Sequence, residues 1–226
     1  MGTIGLSRTN RLFWLGRYLE RVYTTLKATR AMFDAETDGA EADYKDYCCR
    51  MGIACRYENT AAFIRSYYFD AGNADSVAAS LAHAYDNAIV LRETLSSDTL
   101  AYVQMAVTAM ELAAKSSGPA VELQWVLDDI MAFRGSCEEN IEEEINRSII
   151  KSGASLERVD IFLRLGYPQE QCLKEVRHLA SRLKKAQLAV NENNMQFLLN
   201  SLAGSPKNLP PAPVLTAAAE GLLVNI

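Results

Sequence analysis

The sequence predicts an all-α fold, an antiparallel bundle of about seven helices with an internal pseudo-twofold repeat. Apolar residues recur at helical spacing through most of the chain, and almost no segment alternates as a strand does. Glycine, proline and capping residues separate the periodic segments at short intervals. The pattern Leu-Glu-Arg-Val occurs twice, at residues 19–22 and 156–159, which indicates a duplication.

The first two predicted helices are long and carry continuous apolar stripes. The first, at about 7–36, has a heptad seam of apolar residues, and the second, at about 41–70, has a stripe rich in tyrosine. Residues 71–73, Ala-Gly-Asn, end the second helix. Asp75 is expected to cap the third helix, which ends near Leu95.

The fourth and fifth predicted helices are bounded by cap and stop signals. Residues 96–98, Ser-Ser-Asp, can cap a fourth helix that ends at Lys115, where Ser-Ser-Gly-Pro follows. A fifth helix covers about 120–133, and Gly135 is expected to break the chain. Residues 136–139 then have the Ser-x-x-Glu pattern of a capping box, which predicts the start of a sixth helix.

The sixth predicted helix carries the second Glu-Arg pair and is expected to stop at residues 165–168. Gly166 lies just past its last turn, and Pro168 opens a seventh helix that runs to about Leu202. Four prolines follow Gly204, and such a segment cannot stay helical.

These boundaries predict one helical domain over residues 1–203, made of two fused halves at roughly 1–117 and 118–203. Residues 204–226 are expected to form a tail. Its apolar residues 217–224 either form a short docking helix or remain disordered.

The composition excludes several classes of protein. The net charge is −5 with basic and acidic residues interspersed, which disfavours nucleic-acid binding. No apolar stretch is long enough for a membrane span, and the first residues lack the apolar core of a signal peptide. We therefore expect a cytoplasmic protein whose five cysteines are reduced, in a helical core.

No cofactor or metal is predicted. Only two histidines occur, and Glu175 and His178 form a single Glu-x-x-His pair. A di-iron site needs two such pairs, and Ser80 stands where the second glutamate would precede His83. The cysteine spacing fits no zinc site, and neither a phosphate-binding loop nor a nucleophile elbow is present.

The candidate site is a polar centre built on the two Glu-Arg pairs. Adjacent residues on a helix point about 100° apart, so each charge needs a partner elsewhere. We expect Glu20 to pair with Arg158 and Glu157 with Arg21, because duplicated helices that pack about a twofold axis bring equivalent positions together. Arg17 and Arg92 are expected to be accessory cations.

Three interpretations of these charges remain open from the residues alone. They form an interhelical salt-bridge network, or a pocket in which the arginines hold a carboxylate- or phosphate-bearing ligand, or merely solvated helix faces. In the second case the glutamates accept hydrogen bonds from an amine or hydroxyl.

Several segments resemble the Alpha-E domain family, which is named for its helices and its Glu-Arg motif. The opening segment, Leu-Phe-Trp-Leu-Gly-Arg-Tyr-Leu-Glu-Arg at residues 12–21, carries the most specific resemblance. Residues 86–98 are similar to the family's middle motif, although Tyr85 and Ile89 replace arginines. The second Glu-Arg match is partial, since Ala154 and Ser155 replace the usual Arg-Tyr.

The resemblance covers about residues 6–200 and implies a functional context. Members of the family tend to occur with ATP-grasp-type ligases and transglutaminase-like proteins, in bacterial systems that make or modify peptides. We therefore expect a non-catalytic helical partner, or a subunit that binds a peptide or small anionic ligand. The alternative is an enzyme whose Glu/Arg constellation performs acid–base or transfer chemistry.

Overall fold

The computed structural model describes residues 5–40 and 42–224, and within them the fold is all-α. Eleven α-helices and one short 3₁₀ helix, Pro206–Asn208, are present in the described chain, and no strands. The helices are α1 Leu6–Ala28, α2 Arg30–Thr37, α3 Tyr44–Met51, α4 Thr60–Phe69, α5 Val77–Val90, α6 Ser97–Lys115, α7 Ala120–Asn140, α8 Glu144–Leu165, α9 Gln169–Ala186, α10 Glu192–Ala203 and α11 Ala212–Glu220.

The helix count exceeds the predicted seven because three long predicted helices are interrupted and the predicted tail contains α11. The first divides at Thr29, whose hydroxyl donates to the carbonyl of Thr25 and bonds to the Tyr68 hydroxyl. The second is interrupted by Gly52, which adopts a left-handed conformation at the end of α3. Its predicted start at residue 41 lies outside the described residues. The seventh predicted helix divides at Gln187, which adopts a left-handed conformation with a φ of 55°.

The predicted break at Gly135 and the predicted cap of α5 were both wrong. Gly135 does not break the chain, and α7 continues through it to Asn140. The predicted capping box therefore does not form, and the Ser136 hydroxyl instead bonds to that of Thr99, at 2.7 Å. Helix α5 is capped by Ser76, whose Oγ accepts from the amide of Ala79, and not by Asp75.

Other cap signals were confirmed. Ser96 caps α6 by accepting a hydrogen bond from the amide of Thr99. Gly166 ends α8 in the left-handed conformation, with a φ of 71°, and Pro168 directly precedes α9.

The chain divides into two compact units, and the division falls within α1, between Arg17 and Tyr18. The C-terminal unit contains the residues up to Arg17 and those from Glu143 onward, and the central unit contains Tyr18–Glu142. These limits differ from those of the predicted halves, 1–117 and 118–203, which describe a duplication of sequence and stay a prediction.

In the C-terminal unit, α8 and α9 form an antiparallel pair joined by a short turn, and α10 and α11 pack onto it. Its core includes Phe13, Ile161 and Leu179. The segment predicted as a tail belongs to this unit. Helix α11 begins directly after Pro211 and buries Leu215 and Ala219.

In the central unit, α6 and α7 form the second antiparallel pair, and α5 packs against α6. Helix α4 contacts α2, α5 and α6. An aromatic cluster fills the space beside α4, where the Phe63 ring stacks on those of Tyr44 and Tyr67. None of the helices among the described residues is long and apolar enough to span a membrane.

Candidate functional site

Within the C-terminal unit, α1 and α8 cross at two glycines that contact each other's helix reciprocally. A Cβ atom on Gly16 would lie 2.0 Å from the carbonyl oxygen of Ile150, and one on Gly153 would lie 2.0 Å from that of Phe13. Real Cβ atoms do not approach this closely, so only glycine fits at either position. Arg17 directly follows Gly16 on α1, and Glu157 lies one turn beyond Gly153 on α8.

Glu157 lies on α8 just beyond the crossing and is only 2% exposed. Arg17, on α1, donates from Nε to Oε2 of Glu157 over 2.7 Å. The Arg17 guanidinium also lies over the Trp14 ring, 4.9 Å from its centroid. The sequence predicted Arg17 as an accessory cation, and the structure makes it a direct partner of a buried carboxylate.

A second carboxyl follows Glu157 by one turn of α8. Arg164 Nε donates to both carboxyl oxygens of Asp160, over 3.0 and 2.9 Å, and Arg164 Nη2 donates to Glu220 of α11 over 2.6 Å. Burial raises the pKa of Asp160, although Arg164 opposes this and the charge of Glu157 adds to it. Arg164 thus links α11 to α8 through hydrogen bonds to Glu220 and Asp160.

In the central unit, Glu20 is the equivalent buried glutamate and is 1% exposed. Arg134 of α7 donates from Nη2 to Oε2 of Glu20 over 2.6 Å, and Thr24 donates to Oε1 over 2.8 Å. The Arg134 guanidinium lies over the Tyr23 ring, 4.2 Å from its centroid. Each unit therefore contains a buried glutamate, bonded to an arginine that also covers an aromatic ring.

Sequence reasoning missed Arg134 because the predicted fifth helix ended at Phe133. The residue lies four positions after buried Ile130 and three before buried Cys137, which is helical spacing for a neighbour of the core face. This periodicity could have revealed it, had the helix been continued through Gly135.

The remaining predicted residues have different environments. Arg158 Nη1 donates to Oε2 of Glu175 over 3.3 Å, within the C-terminal unit. Arg21 lies over the Tyr18 ring in the central unit. Arg92 is exposed in the turn after α5. The predicted pairs of Glu20 with Arg158 and of Glu157 with Arg21 join residues of the two units and stay predictions.

The five cysteines are free, and three of them are buried: Cys48, Cys137 and Cys172. Cys49 and Cys55 are exposed, which corrects their predicted place in the core. Burial raises the pKa of Cys48 to about 12 and that of Cys172 to about 11, so these thiols stay protonated near neutral pH.

No group of three or more histidine, cysteine, aspartate or glutamate side chains is positioned to hold a metal ion within residues 5–40 and 42–224. In both Glu-Arg regions a buried glutamate is paired with a guanidinium. A buried carboxylate bonded to a guanidinium is neutralised and held in one orientation.

Comparison with known proteins places the chain in one family. It matches the family model of Alpha-E, described as a predicted alpha-helical domain with a conserved ER motif, over residues 6–206. The chain belongs to the Alpha-E family. No curated protein and no solved structure matches it.

Proposed function

We propose that this protein is a non-catalytic helical partner, or a peptide- or small-ligand-binding subunit, of a bacterial peptide synthesis or modification system with ATP-grasp-type ligase and transglutaminase-like proteins. The observation that carries the proposal is that Glu20 and Glu157, each no more than 2% exposed, are both engaged in hydrogen bonds. Glu20 is bonded to Arg134 and Thr24, and Glu157 to Arg17. Carboxylates held in this way stabilise a structure, whereas a general acid or base must exchange its proton with a substrate.

A second observation supports a protein partner. Large apolar side chains are exposed on α6 and α7, and Trp125 is 47% exposed. The others are Met105, Leu112, Val121 and Met131. Exposed aromatic and methionine side chains are enriched where proteins associate.

The proposal includes the pseudo-twofold repeat. The reciprocal contacts at Gly16 and Gly153 support it, because their carbonyl partners, Ile150 and Phe13, are themselves 137 positions apart, as are the two glycines. An axis relating α1 to α8 at this crossing is the arrangement in which Glu20 would pair with Arg158 and Glu157 with Arg21.

One observation favours the alternative, an enzyme. Asp160 is a buried carboxyl with a raised pKa, one helical turn from Glu157, and such groups are common in catalytic sites. If the protein is an enzyme, Asp160→Asn should abolish the activity of the reconstituted peptide synthesis or modification system. The variant should still bind its partner protein.

Affinity purification of the tagged protein from its native cells tests the proposal. We expect an ATP-grasp-type ligase among the co-purifying proteins identified by mass spectrometry. Trp125→Glu should abolish co-purification of the ligase. Val214→Glu, at a similarly exposed position on α11, should leave co-purification of the ligase unchanged. Purification of the protein without a ligase would contradict the partner role.

A further inference from the structure

A surface cleft in the central unit has the features of a ligand site. It lies where two loops, residues 52–59 between α3 and α4 and residues 70–76 between α4 and α5, meet α4. Its volume is about 650 Å³, within the range of small-molecule sites. The volume suits an amino acid or a short peptide.

Hydrogen bonds hold one wall of the cleft in place. Asn73 Nδ2 donates to the Tyr57 hydroxyl over 3.1 Å and to Ser66 Oγ over 3.3 Å. The Tyr44 hydroxyl donates to the Tyr57 carbonyl, and the Tyr57 ring packs edge-on against that of Phe63. These contacts connect both loops to the aromatic cluster, so the wall is formed before any ligand binds.

The charges in the cleft are of both signs. One guanidinium, Arg56, and two carboxylates, Glu58 and Asp75, contribute to its lining and are exposed. In the described part of the chain, none of the three forms an ion pair. The rest of the lining is small, consisting of Ala54, Ala62, Gly72 and Ala74 beside the polar wall.

We propose that this cleft binds a zwitterionic ligand, a free amino acid or a short peptide with both termini charged. Arg56 binds the carboxylate, because a guanidinium matches a carboxylate with two parallel hydrogen bonds. Glu58 and Asp75 accept from the ammonium group. The Tyr57 hydroxyl accepts from Asn73, and its own proton is available to a ligand oxygen.

The same features disfavour other ligands. With one cation and two anions, the cleft repels phosphate and nucleotides, and its small side chains provide little apolar area for a lipid. The inference rests on the ligand-binding part of the proposed function, to which it gives a place and a ligand class. It does not depend on the partner protein.

Calorimetric titration of the full chain with glycylglycine tests this assignment. We expect saturable binding, weakened about tenfold or more by Arg56→Met, since a charge-assisted bidentate contact is lost. Asp75→Asn should also weaken it. The matched control is Arg65→Met, which alters an exposed arginine of α4 outside the lining and should leave the affinity unchanged.

Two further titrations define the ligand class. N-acetylglycinamide, which lacks both charges, and inorganic phosphate should each bind at least about tenfold more weakly than glycylglycine. The assignment is overturned if glycylglycine does not bind at millimolar concentration, if Arg56→Met leaves its affinity unchanged, or if either probe binds equally well. Circular dichroism confirms that each variant is folded. If glycylglycine does not bind, the co-purification of a ligase is unaffected. The ligand-site proposal and the partner proposal can therefore be rejected independently.

Discussion

At the residue scale, Glu20 and Glu157 are buried acidic groups whose removal from water must be compensated. A carboxylate removed from water loses several kcal/mol of hydration unless a cation and further donors replace it. Glu20 has both, in Arg134 and Thr24. Because Glu20 is buried, its negative charge requires the positive charge of Arg134, and the two side chains form a structural charge pair.

Arg134→Met is expected to lower the free energy of unfolding by about 3–5 kcal/mol, because it strands the buried Glu20 carboxylate. Urea denaturation measures this change. Arg30→Met is the matched control, since Arg30 pairs with Asp34 on the exposed surface of α2. That control should change stability by less than about 1 kcal/mol. Equal losses in the two variants would show that Glu20 does not depend on Arg134.

Asp160 is expected to make stability depend on pH. Because its pKa is raised in the folded state, the folded protein binds this proton more tightly than the unfolded chain does. The stabilisation is complete in acid, below the unfolded pKa, and is lost as pH rises through the folded pKa. As pH rises from the unfolded pKa of Asp160 through its folded pKa, the unfolding free energy of the wild type should therefore fall relative to that of Asp160→Asn. A difference that stays constant, or rises with pH, contradicts the raised pKa.

At the scale of the helices, α1 and α8 cross in close backbone contact at Gly16 and Gly153. Gly16→Ala and Gly153→Ala should each cost about 1–3 kcal/mol or more, as overpacked substitutions do, because each added methyl group meets a backbone carbonyl. Thermal unfolding measures the loss.

Gly135→Ala is the control for this prediction, because Gly135 lies within α7 with open space around it. Alanine there should stabilise the helix by about 0.5–1 kcal/mol. If Gly16→Ala or Gly153→Ala were as well tolerated as Gly135→Ala, the close crossing would be wrong.

Helix α11 is expected to contribute to the stability of the C-terminal unit. Leu215 is buried, and its neighbour Val214 is exposed. Leu215→Ala should cost about 2–5 kcal/mol, whereas Val214→Ala should change stability by no more than about 0.5 kcal/mol. Chemical denaturation compares the two variants. Equal, small effects would mean that the burial of Leu215 in α11 contributes little to stability.

At the scale of the whole molecule, the sequence was sufficient for the fold class and the family. Helical periodicity identified almost every helical segment, and capping residues such as Ser96 and Gly166 marked ends correctly because their effects are local. The interruptions at Thr29 and Gln187 were missed. Thr29 is anchored by Tyr68, 39 residues away, a tertiary contact that no local pattern encodes.

The candidate site was predictable only in part, for the same reason. The burial of Glu20 and Glu157 follows from their places beside apolar seams, and the duplicated pattern identified them. Spacing could place Arg134 beside the core face of α7, but its pairing with Glu20 depends on which helices pack together, and no local pattern encodes that. The cleft that we propose to bind a zwitterion was missed because its charged residues come from two loops with no shared motif.

Glu20 and Glu157 serve as the acidic members of structural charge pairs. A double-mutant cycle of Glu157→Gln and Arg17→Met, followed by urea denaturation, tests this role. Each single substitution should destabilise the protein by about 3–5 kcal/mol, and the double variant should lose less than their sum by about 0.5–3 kcal/mol, as contacting residues do. Additive losses, or single losses of no more than about 0.5 kcal/mol as at ordinary surface positions, would contradict the claim.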